Sequence, residues 1–287
     1  MPELRTDELT LHYEDDGDPG APPILVLHGI LGSTTTWQWL VDDLSATNRV
    51  VRLDLRGHGR SERAPGQYVF HGYVADAAAI CEQVLGSTPA VVVGHSLGGG
   101  TAAGLAQTRP ELVRGVVLED PAIMAPPSPE ALSSIDGNPL LDGFRLMRES
   151  IPRLQESGID QATLVGILRN APSPSGALFG ESMHDDALAA MAEAMLAVDA
   201  TVLDPVFDGT TVAVFDPFQP LPVPGIVVAG DPGSPDTIVR SPELDLLTEH
   251  SPHVEQRVLT GVGHLIHDSL SHRQALLDAI KDLLARL

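Results

Sequence analysis

The fold is decided by residues 90–98, whose sequence is AVVVGHSLG. Its first part, Ala90–Val93, is a short apolar run rich in β-branched residues, which predicts a buried strand. Small residues at helical spacing follow from Thr101 to Thr108. Between the two, GHSLG at residues 94–98 matches G-x-S-x-G in the strand–turn–helix context that this motif requires. We therefore predict a sharp turn that presents the side chain of Ser96 as a nucleophile.

Similar apolar runs recur on both sides of this stretch. Most are followed by a glycine-rich turn and a helical pattern, which predicts a parallel sheet with right-handed crossovers. The predicted strands are Leu9–Tyr13 (at an edge), Pro23–Leu27, Arg49–Leu53, Ala90–Val93, Gly115–Leu118, Val212–Phe215, Gly225–Ala229 and Glu255–Leu259.

The strand–helix alternation stops after the strand Gly115–Leu118. Helical patterns such as Leu140 to Ile151 and Ala187 to Val198 then dominate, separated by Pro/Gly/Ser loops. We predict an α/β core domain of residues 1–121 and 223–287, with a helical cap of residues 122–222 inserted into it. Large apolar side chains of the cap are expected to pack in its core or to face an apolar substrate. They are Met124, Leu141, Phe144, Met147, Phe179, Met183, Met191 and Met195.

A nucleophilic serine needs a base. His264 follows the last predicted strand, where the chain order serine, acid, histidine places the triad histidine. Its neutral imidazole could remove the proton of Ser96 and return it to the leaving group. The chain has 11 histidines. His267 is the nearest rival, whereas others, such as His12 and His58, are interpreted as surface or loop residues.

The reaction also needs donors for a developing oxyanion. A glycine-rich bend at residues 28–32 follows the predicted strand Pro23–Leu27. The backbone N–H groups of Ile30 and Leu97 are the predicted pair, and His28 is expected to brace the bend through hydrogen bonds.

Together these motifs resemble the α/β-hydrolase superfamily. The resemblance rests on GHSLG at residues 94–98, HG at 28–29, DLRGHGRS at 54–61 and GH at 263–264, in the order of that superfamily. It implies an eight-stranded, mostly parallel sheet flanked by helices, a lid after the sixth strand and a serine-hydrolase mechanism. A serine at position 96 disfavours the chemistry of haloalkane dehalogenases and epoxide hydrolases, which use an aspartate there.

The sequence alone does not decide which residue is the triad acid. Most of the superfamily has it at a G-x-x-D spacing after the lid, but here this spacing leads to Gly233. Resemblance to haloalkane dehalogenases and zearalenone-type lactonases, whose acid follows the nucleophile by 24 residues, favours Asp120. Asp231, Asp236 and Glu119 are the alternatives.

The composition narrows the range of partners. A formal net charge of −22 disfavours nucleic acid, anionic membranes and anionic substrates. A single cysteine, Cys81, excludes an intrachain disulfide and predicts a small buried hydrophobe. HExxH, CxxC and carboxylate clusters at metal spacing are absent from the sequence, which predicts neither a metal nor a cofactor. Without a secretory or membrane-spanning pattern, a cytoplasmic protein is expected.

These patterns predict a serine hydrolase that cleaves a carboxylic ester or lactone of a hydrophobic small molecule through an acyl-enzyme. The resemblance in acid position favours a lactonase of the zearalenone type. The alternatives are a C–C bond hydrolase, perhydrolase or lyase that uses the same triad, and a non-catalytic receptor for a small ligand.

Overall fold

An eight-stranded sheet organises the protein, with strand order β1-β2-β4-β3-β5-β6-β7-β8. It is seen in a computed structural model that describes residues 2–123, 139–173, 176–208 and 214–287. The first two strand pairs, β1–β2 and β2–β4, are antiparallel, and the remaining pairs are parallel. The strands are β1 (Glu3–Arg5), β2 (Thr10–Asp16), β3 (Pro23–Leu27), β4 (Arg49–Leu53), β5 (Ala90–His95), β6 (Val113–Glu119), β7 (Gly225–Ala229) and β8 (Glu255–Val258).

Helices connect the parallel strands and cover the sheet. In the described residues the α-helices are α1 (Val41–Leu44), α2 (Phe70–Ala79), α3 (Leu97–Thr108), α4 (Pro139–Ser157), α5 (Gln161–Arg169), α6 (Phe179–Ser182), α7 (Asp185–Ala197), α8 (Asp204–Asp208), α9 (Ser241–His250) and α10 (Arg273–Arg286). Short 3₁₀ segments occupy Thr34–Leu40, Pro110–Leu112 and Ala200–Leu203, and a π-helical turn at Ile80–Val84 follows α2.

The central strands are buried on both faces, which explains their unbroken apolar sequences. Every residue of β3, β5 and β7 is buried. Successive side chains of a strand point to opposite faces, so Leu25 and Val92 join the core on one side of the sheet. Val26 and Val93 join the core on the other side. The predicted α/β-hydrolase fold, with its mostly parallel eight-stranded sheet, is confirmed.

The strand order places one crevice at the carboxyl ends of the central strands. From β3 the chain moves to β4 on one side and later to β5 on the other. In open α/β sheets, ligands bind where the strand order reverses in this way. The loops that follow β3, β5, β6, β7 and β8 carry the candidate residues, and all of them leave the sheet at this edge.

Two details differ from the predictions. Leu9–Tyr13 corresponds to β2, which is not an edge strand because β1 pairs with its outer side. β1 has only three residues, exposed or half-buried, and so carries little apolar signal. Cys81 is fully buried, as predicted.

Between β6 and β7 the described residues form α4 to α8. The predicted helices Leu140–Ile151 and Ala187–Val198 correspond to α4 and α7. Half of the predicted strand Val212–Phe215, residues 212 and 213, lies outside the described residues, as do Met124 and parts of the predicted cap. The other half, Val214 and Phe215, is not in a strand, so the prediction is wrong for these two residues. In the part of the chain that the structure describes, no helix is long and apolar enough to cross a membrane.

Candidate active site

Ser96 occupies a strained turn between β5 and α3. Its backbone angles are φ 52° and ψ −113°, a conformation that costs free energy and recurs at functional sites. A Cβ on Gly94 would collide with the carbonyl of Gly98, and a Cβ on Gly98 would collide with the carbonyl of Leu27. Both glycines of the motif are therefore required by close backbone packing.

Two backbone hydrogen bonds hold this turn against the neighbouring strand. The N–H of Ser96 donates to the carbonyl of Glu119 (2.9 Å), and the N–H of Ala122 donates to the carbonyl of Ser96 (2.9 Å). Helix α3 begins at Leu97, so its positive N-terminal end lies directly behind the Ser96 hydroxyl.

The imidazole of His264 lies against a buried carboxylate. His264 Nδ1 is 2.6 Å from Asp120 Oδ2, and Asp120 is fully buried. The N–H groups of Ile238 and Val239 donate to Asp120 Oδ2 and Oδ1 at 2.9 and 3.1 Å. Both carboxylate oxygens are thus oriented by backbone hydrogen bonds. Because a carboxylate only accepts, Nδ1 of His264 carries the proton and Nε2 is left with a lone pair.

The other acids considered from the sequence do not contact the His264 ring. Asp231 accepts from the backbone N–H groups of Gly233 and Gly261 at 2.9 and 3.0 Å. Asp236 accepts from Ser234 Oγ at 2.5 Å and from the backbone N–H of His264 at 3.4 Å. Glu119 pairs with His267. The geometry therefore singles out Asp120 among the four candidates.

Ser96 and His264 belong to one cluster without a direct hydrogen bond between them. The His95 and His264 rings are 4.4 Å apart, and His95 Nε2 is 3.1 Å from the carbonyl of His264. Burial, followed by the repulsion of nearby imidazoles, lowers the pKa of His95 and keeps its ring neutral. Among the described hydrogen bonds, none joins Ser96 Oγ to His264. Catalytic hydrogen bonds of this kind often form only when substrate is bound.

The predicted oxyanion donors are available. In the described part of the chain, the N–H groups of Ile30 and Leu97 donate to no protein acceptor. His28 braces the bend, as predicted: its Nδ1 lies 2.7 Å from the carbonyl of Gly29, and its Nε2 accepts from the N–H of Leu55 (3.0 Å). Burial lowers the pKa of His28 to about 4, so this brace remains neutral. Leu31, at φ 66°, adopts the left-handed conformation within the bend.

A cavity of about 130 Å³ opens between this bend and His264. Ser96 is only 3% exposed and lies beside Gly29, which forms part of the cavity wall. The remaining wall is mostly apolar, with side chains from α4, α6, α7 and the loop after β8. These are Phe144, Met147, Phe179, Met191, Met195 and Leu265. Five of them belong to the apolar set predicted for the cap, while Leu141 and Met183 do not line the cavity.

A second acid–imidazole pair lies beside the first and was missed at the level of sequence. His267 Nδ1 is 2.8 and 3.0 Å from the two oxygens of Glu119. Burial opposes the charged form of His267, but the charges of Asp268 and Glu119 and a hydrogen bond to Glu119 outweigh it and raise its pKa to about 9. A charged, doubly paired ring makes a poor base, so His267 is not a rival to His264. The sequence feature that could have indicated this pair is Glu119, a charged residue at the end of a buried apolar strand.

The same pair is part of a group with metal-ligand chemistry. The donor atoms of His95, Glu119 and His267 lie within 4.8 Å of one another. Each already has a protein partner, since His95 contacts the carbonyl of His264 and His267 contacts Glu119. These contacts account for the group without an ion.

Two histidines predicted at the surface or in loops are buried. His12 is 2% exposed and His58 is fully buried. The His58 ring packs 4.9 Å from the ring of His28, beneath the bend that follows β3. The prediction is wrong for His12, which lies within the strand β2. His58 does lie in a loop, but the DLRGHGRS turn folds inward and buries it.

Comparison with known proteins agrees with this architecture. Residues 22–168 match the profile of a family described as the alpha/beta hydrolase fold, and the chain belongs to that family. It resembles the mouse sn-1-specific diacylglycerol lipase ABHD11 (38% identity over 107 residues; 37% of this chain and 34% of that protein). It also resembles the lipase LipV of Mycobacterium tuberculosis (37% over 115 residues; 40% of this chain and 43% of that protein). The matched segments thus span less than half the length of these relatives.

A solved structure shares the fold along almost the whole chain. E-2-(acetamidomethylene)succinate hydrolase superimposes with a TM-score of 0.73 at 20% identity, covering 99% of this chain and 98% of that one. At this identity the likeness concerns the fold alone.

Proposed function

We propose that this protein is a serine hydrolase that cleaves a carboxylic ester or lactone of a hydrophobic small molecule through an acyl-enzyme. The observation that carries the proposal is the contact of 2.6 Å between Asp120 and His264, beside a serine on a strained turn. A serine hydroxyl near an imidazole that a carboxylate orients is the arrangement that nucleophilic catalysis requires.

The reaction follows from these groups. Ser96 Oγ attacks the substrate carbonyl carbon while His264 Nε2 takes the hydroxyl proton. The resulting oxyanion accepts hydrogen bonds from the N–H groups of Ile30 and Leu97. Collapse of the intermediate breaks the ester C–O bond, and His264 gives its proton to the departing alcohol. In a lactone this alcohol stays tethered to the acyl group.

Water then completes the cycle. It attacks the acyl-enzyme as His264 accepts one of its protons, and the acid leaves as the proton returns to Ser96. Asp120 holds the Nδ1 proton throughout and stabilises the imidazolium without taking the proton itself. Ester and water are thereby converted into acid and alcohol, and the protein is regenerated.

The cavity wall and the relatives support the choice of substrate. Six apolar side chains on the wall favour a hydrophobic acyl or alcohol group. A volume of about 130 Å³ is well below the several hundred Å³ of drug-sized pockets. In this proposal the helices that follow β6 belong to a cap of residues 122–222. We therefore expect either a small substrate or a displacement of these helices when a larger substrate binds. The names of the two curated relatives describe lipases, which act on esters.

A panel of esters and lactones tests the proposal. p-Nitrophenyl esters of graded chain length and macrocyclic lactones of the zearalenone type would be assayed with wild type and Ser96→Ala. We expect a burst of p-nitrophenol equal to the enzyme concentration from wild type and none from the variant. Turnover of β-diketones but of no ester or lactone would favour a C–C bond hydrolase. Ligand-induced stabilisation without any turnover would favour a receptor.

A further inference from the structure

A buried carboxylate lies in the wall of the candidate active site. Asp268 follows His264 by four positions, and its side chain is 7% exposed. It lines the same cavity as Ile30 and His264, whose wall also includes six large apolar side chains. The proposed mechanism gives this carboxylate no task.

In the described part of the chain, the carboxylate of Asp268 has one side-chain partner. Its Oδ1 forms an ion pair with His267 Nε2 at 3.3 Å. Within the described residues, no N–H or O–H group donates a hydrogen bond to either carboxylate oxygen. Burial raises the pKa of Asp268, as expected for an acid whose charge is poorly solvated. This single imidazole partner leaves lone pairs on both carboxylate oxygens for a further donor.

The surrounding contacts hold the backbone segment that carries Asp268. On one side, both the backbone N–H and Nδ1 of His267 contact Glu119 Oε1 at 2.8 Å. On the other, the carbonyl of Asp268 accepts from the N–H of His184 at 3.0 Å. The guanidinium of Arg273 fixes the same segment by donating to the carbonyl of His267 (2.6 Å). The backbone that presents Asp268 to the cavity is therefore held in place in advance of any ligand.

We propose that Asp268 is a specificity-determining residue, whose carboxylate accepts a hydrogen bond from a hydroxyl or amide N–H of the substrate. The preferred substrate is then an apolar ester or lactone that carries one such donor in its acyl or alcohol part. This inference rests on the proposed function. A mostly apolar site that contains an acceptor with free lone pairs discriminates against analogues without the matching donor, because they leave this hydrogen-bonding capacity unused in a dry site.

Matched esters test this selectivity. One set carries an acetamido N–H in the acyl chain, as in p-nitrophenyl N-acetyl-β-alaninate, and a second carries it in the alcohol, as in 2-acetamidoethyl butyrate. Each is made in three chain lengths and compared with its N-methyl and plain alkyl counterparts. We expect wild type to prefer the N–H member of at least one set by about tenfold or more in kcat/KM.

Three variants identify the source of the preference. Asp268→Leu should abolish it, whereas Asp268→Asn, which keeps an acceptor oxygen, should retain part of it. Met191→Leu alters the apolar wall and should change all members of a set alike. Absence of any N–H preference in wild type, or its persistence in Asp268→Leu, would overturn the inference.

Binding separates this inference from the proposed function. Calorimetry with Ser96→Ala measures affinity for the intact esters without turnover. If wild type hydrolyses plain esters but neither kinetics nor binding favours the N–H members, only the role of Asp268 fails. If wild type hydrolyses nothing and yet Ser96→Ala favours the N–H members, the proposed function fails and the recognition by Asp268 stands.

Discussion

Asp120 Oδ2 and His264 Nδ1 lie 2.6 Å apart although the two residues are 144 positions apart in the chain. The contact is possible because β6 and β8 end at the same edge of the sheet, with β7 between them. Asp120 adopts φ 35°, so the chain bends immediately after β6 and turns the carboxylate toward the histidine loop. The bend and the buried hydrogen bonds together orient the ring.

Removal of the Asp120 charge should impair catalysis far more than binding. In Asp120→Asn the side-chain amide no longer requires a proton on His264 Nδ1, so the ring loses its orientation and its counter-charge. We expect kcat for an ester to fall by about 10³–10⁴-fold. Asp231→Asn is the matched control and should change kcat by about twofold or less. The reverse ranking, in variants with native circular dichroism spectra, would contradict the assignment of Asp120.

The glycine of the serine turn that faces β3 should resist substitution. In Gly98→Ala the new methyl group meets the carbonyls of Leu27 and His28. We expect the free energy of unfolding to fall by about 1–3 kcal/mol, together with loss of ester hydrolysis. Gly166→Ala, in the middle of α5 with nothing within 4 Å, should gain about 0.5–1 kcal/mol. Urea denaturation of both variants checks this, and equal effects would refute the packing argument.

The His267–Glu119 pair should make stability depend on pH on the alkaline side. The pKa of His267 is raised from 6.5 to about 9 in the folded protein. Between these values the folded state holds a proton that the unfolded state has released, so the stabilisation is complete below pH 6.5 and disappears as the pH passes 9. The free energy of unfolding should fall by about 3 kcal/mol at most over this pH range.

Glu119→Gln supplies the control for that measurement. Removal of one carboxylate lowers the folded-state pKa of His267, so the decline in the free energy of unfolding between pH 6.5 and 9 should become smaller. The variant should also be less stable near neutral pH by about 3–5 kcal/mol, as when one partner of a buried ion pair is lost. Parallel pH curves for wild type and variant would rule out the pair as the cause.

Local patterns in the sequence predict the sheet and the serine turn because each depends on neighbours in the chain. β3, β5 and β7 are continuous apolar runs, and the turn around Ser96 needs glycine at positions 94 and 98. The triad acid could not be derived from local patterns, since several acids lie near the right strand ends. Only the fold distinguishes Asp120, which contacts the His264 ring, from Asp231 and Asp236.

The second acid–imidazole pair required the fold for the same reason. Glu119 and His267 are 148 positions apart and meet because β6 and the loop after β8 leave the sheet together. The short strand β1 was missed because none of its three residues is buried. Long-range pairs and short edge strands both lack the periodicity from which sequence patterns derive their information.

Labelling with a fluorophosphonate tests the central claim most directly, because this reagent phosphonylates a serine only where its hydroxyl is activated by a base. Intact-protein and peptide mass spectrometry should find one adduct, on Ser96, in wild type. The adduct should be absent from Ser96→Ala and form much more slowly in His264→Gln. Labelling of wild type at another serine, or undiminished labelling of Ser96 in His264→Gln, would contradict the claim that His264 activates Ser96.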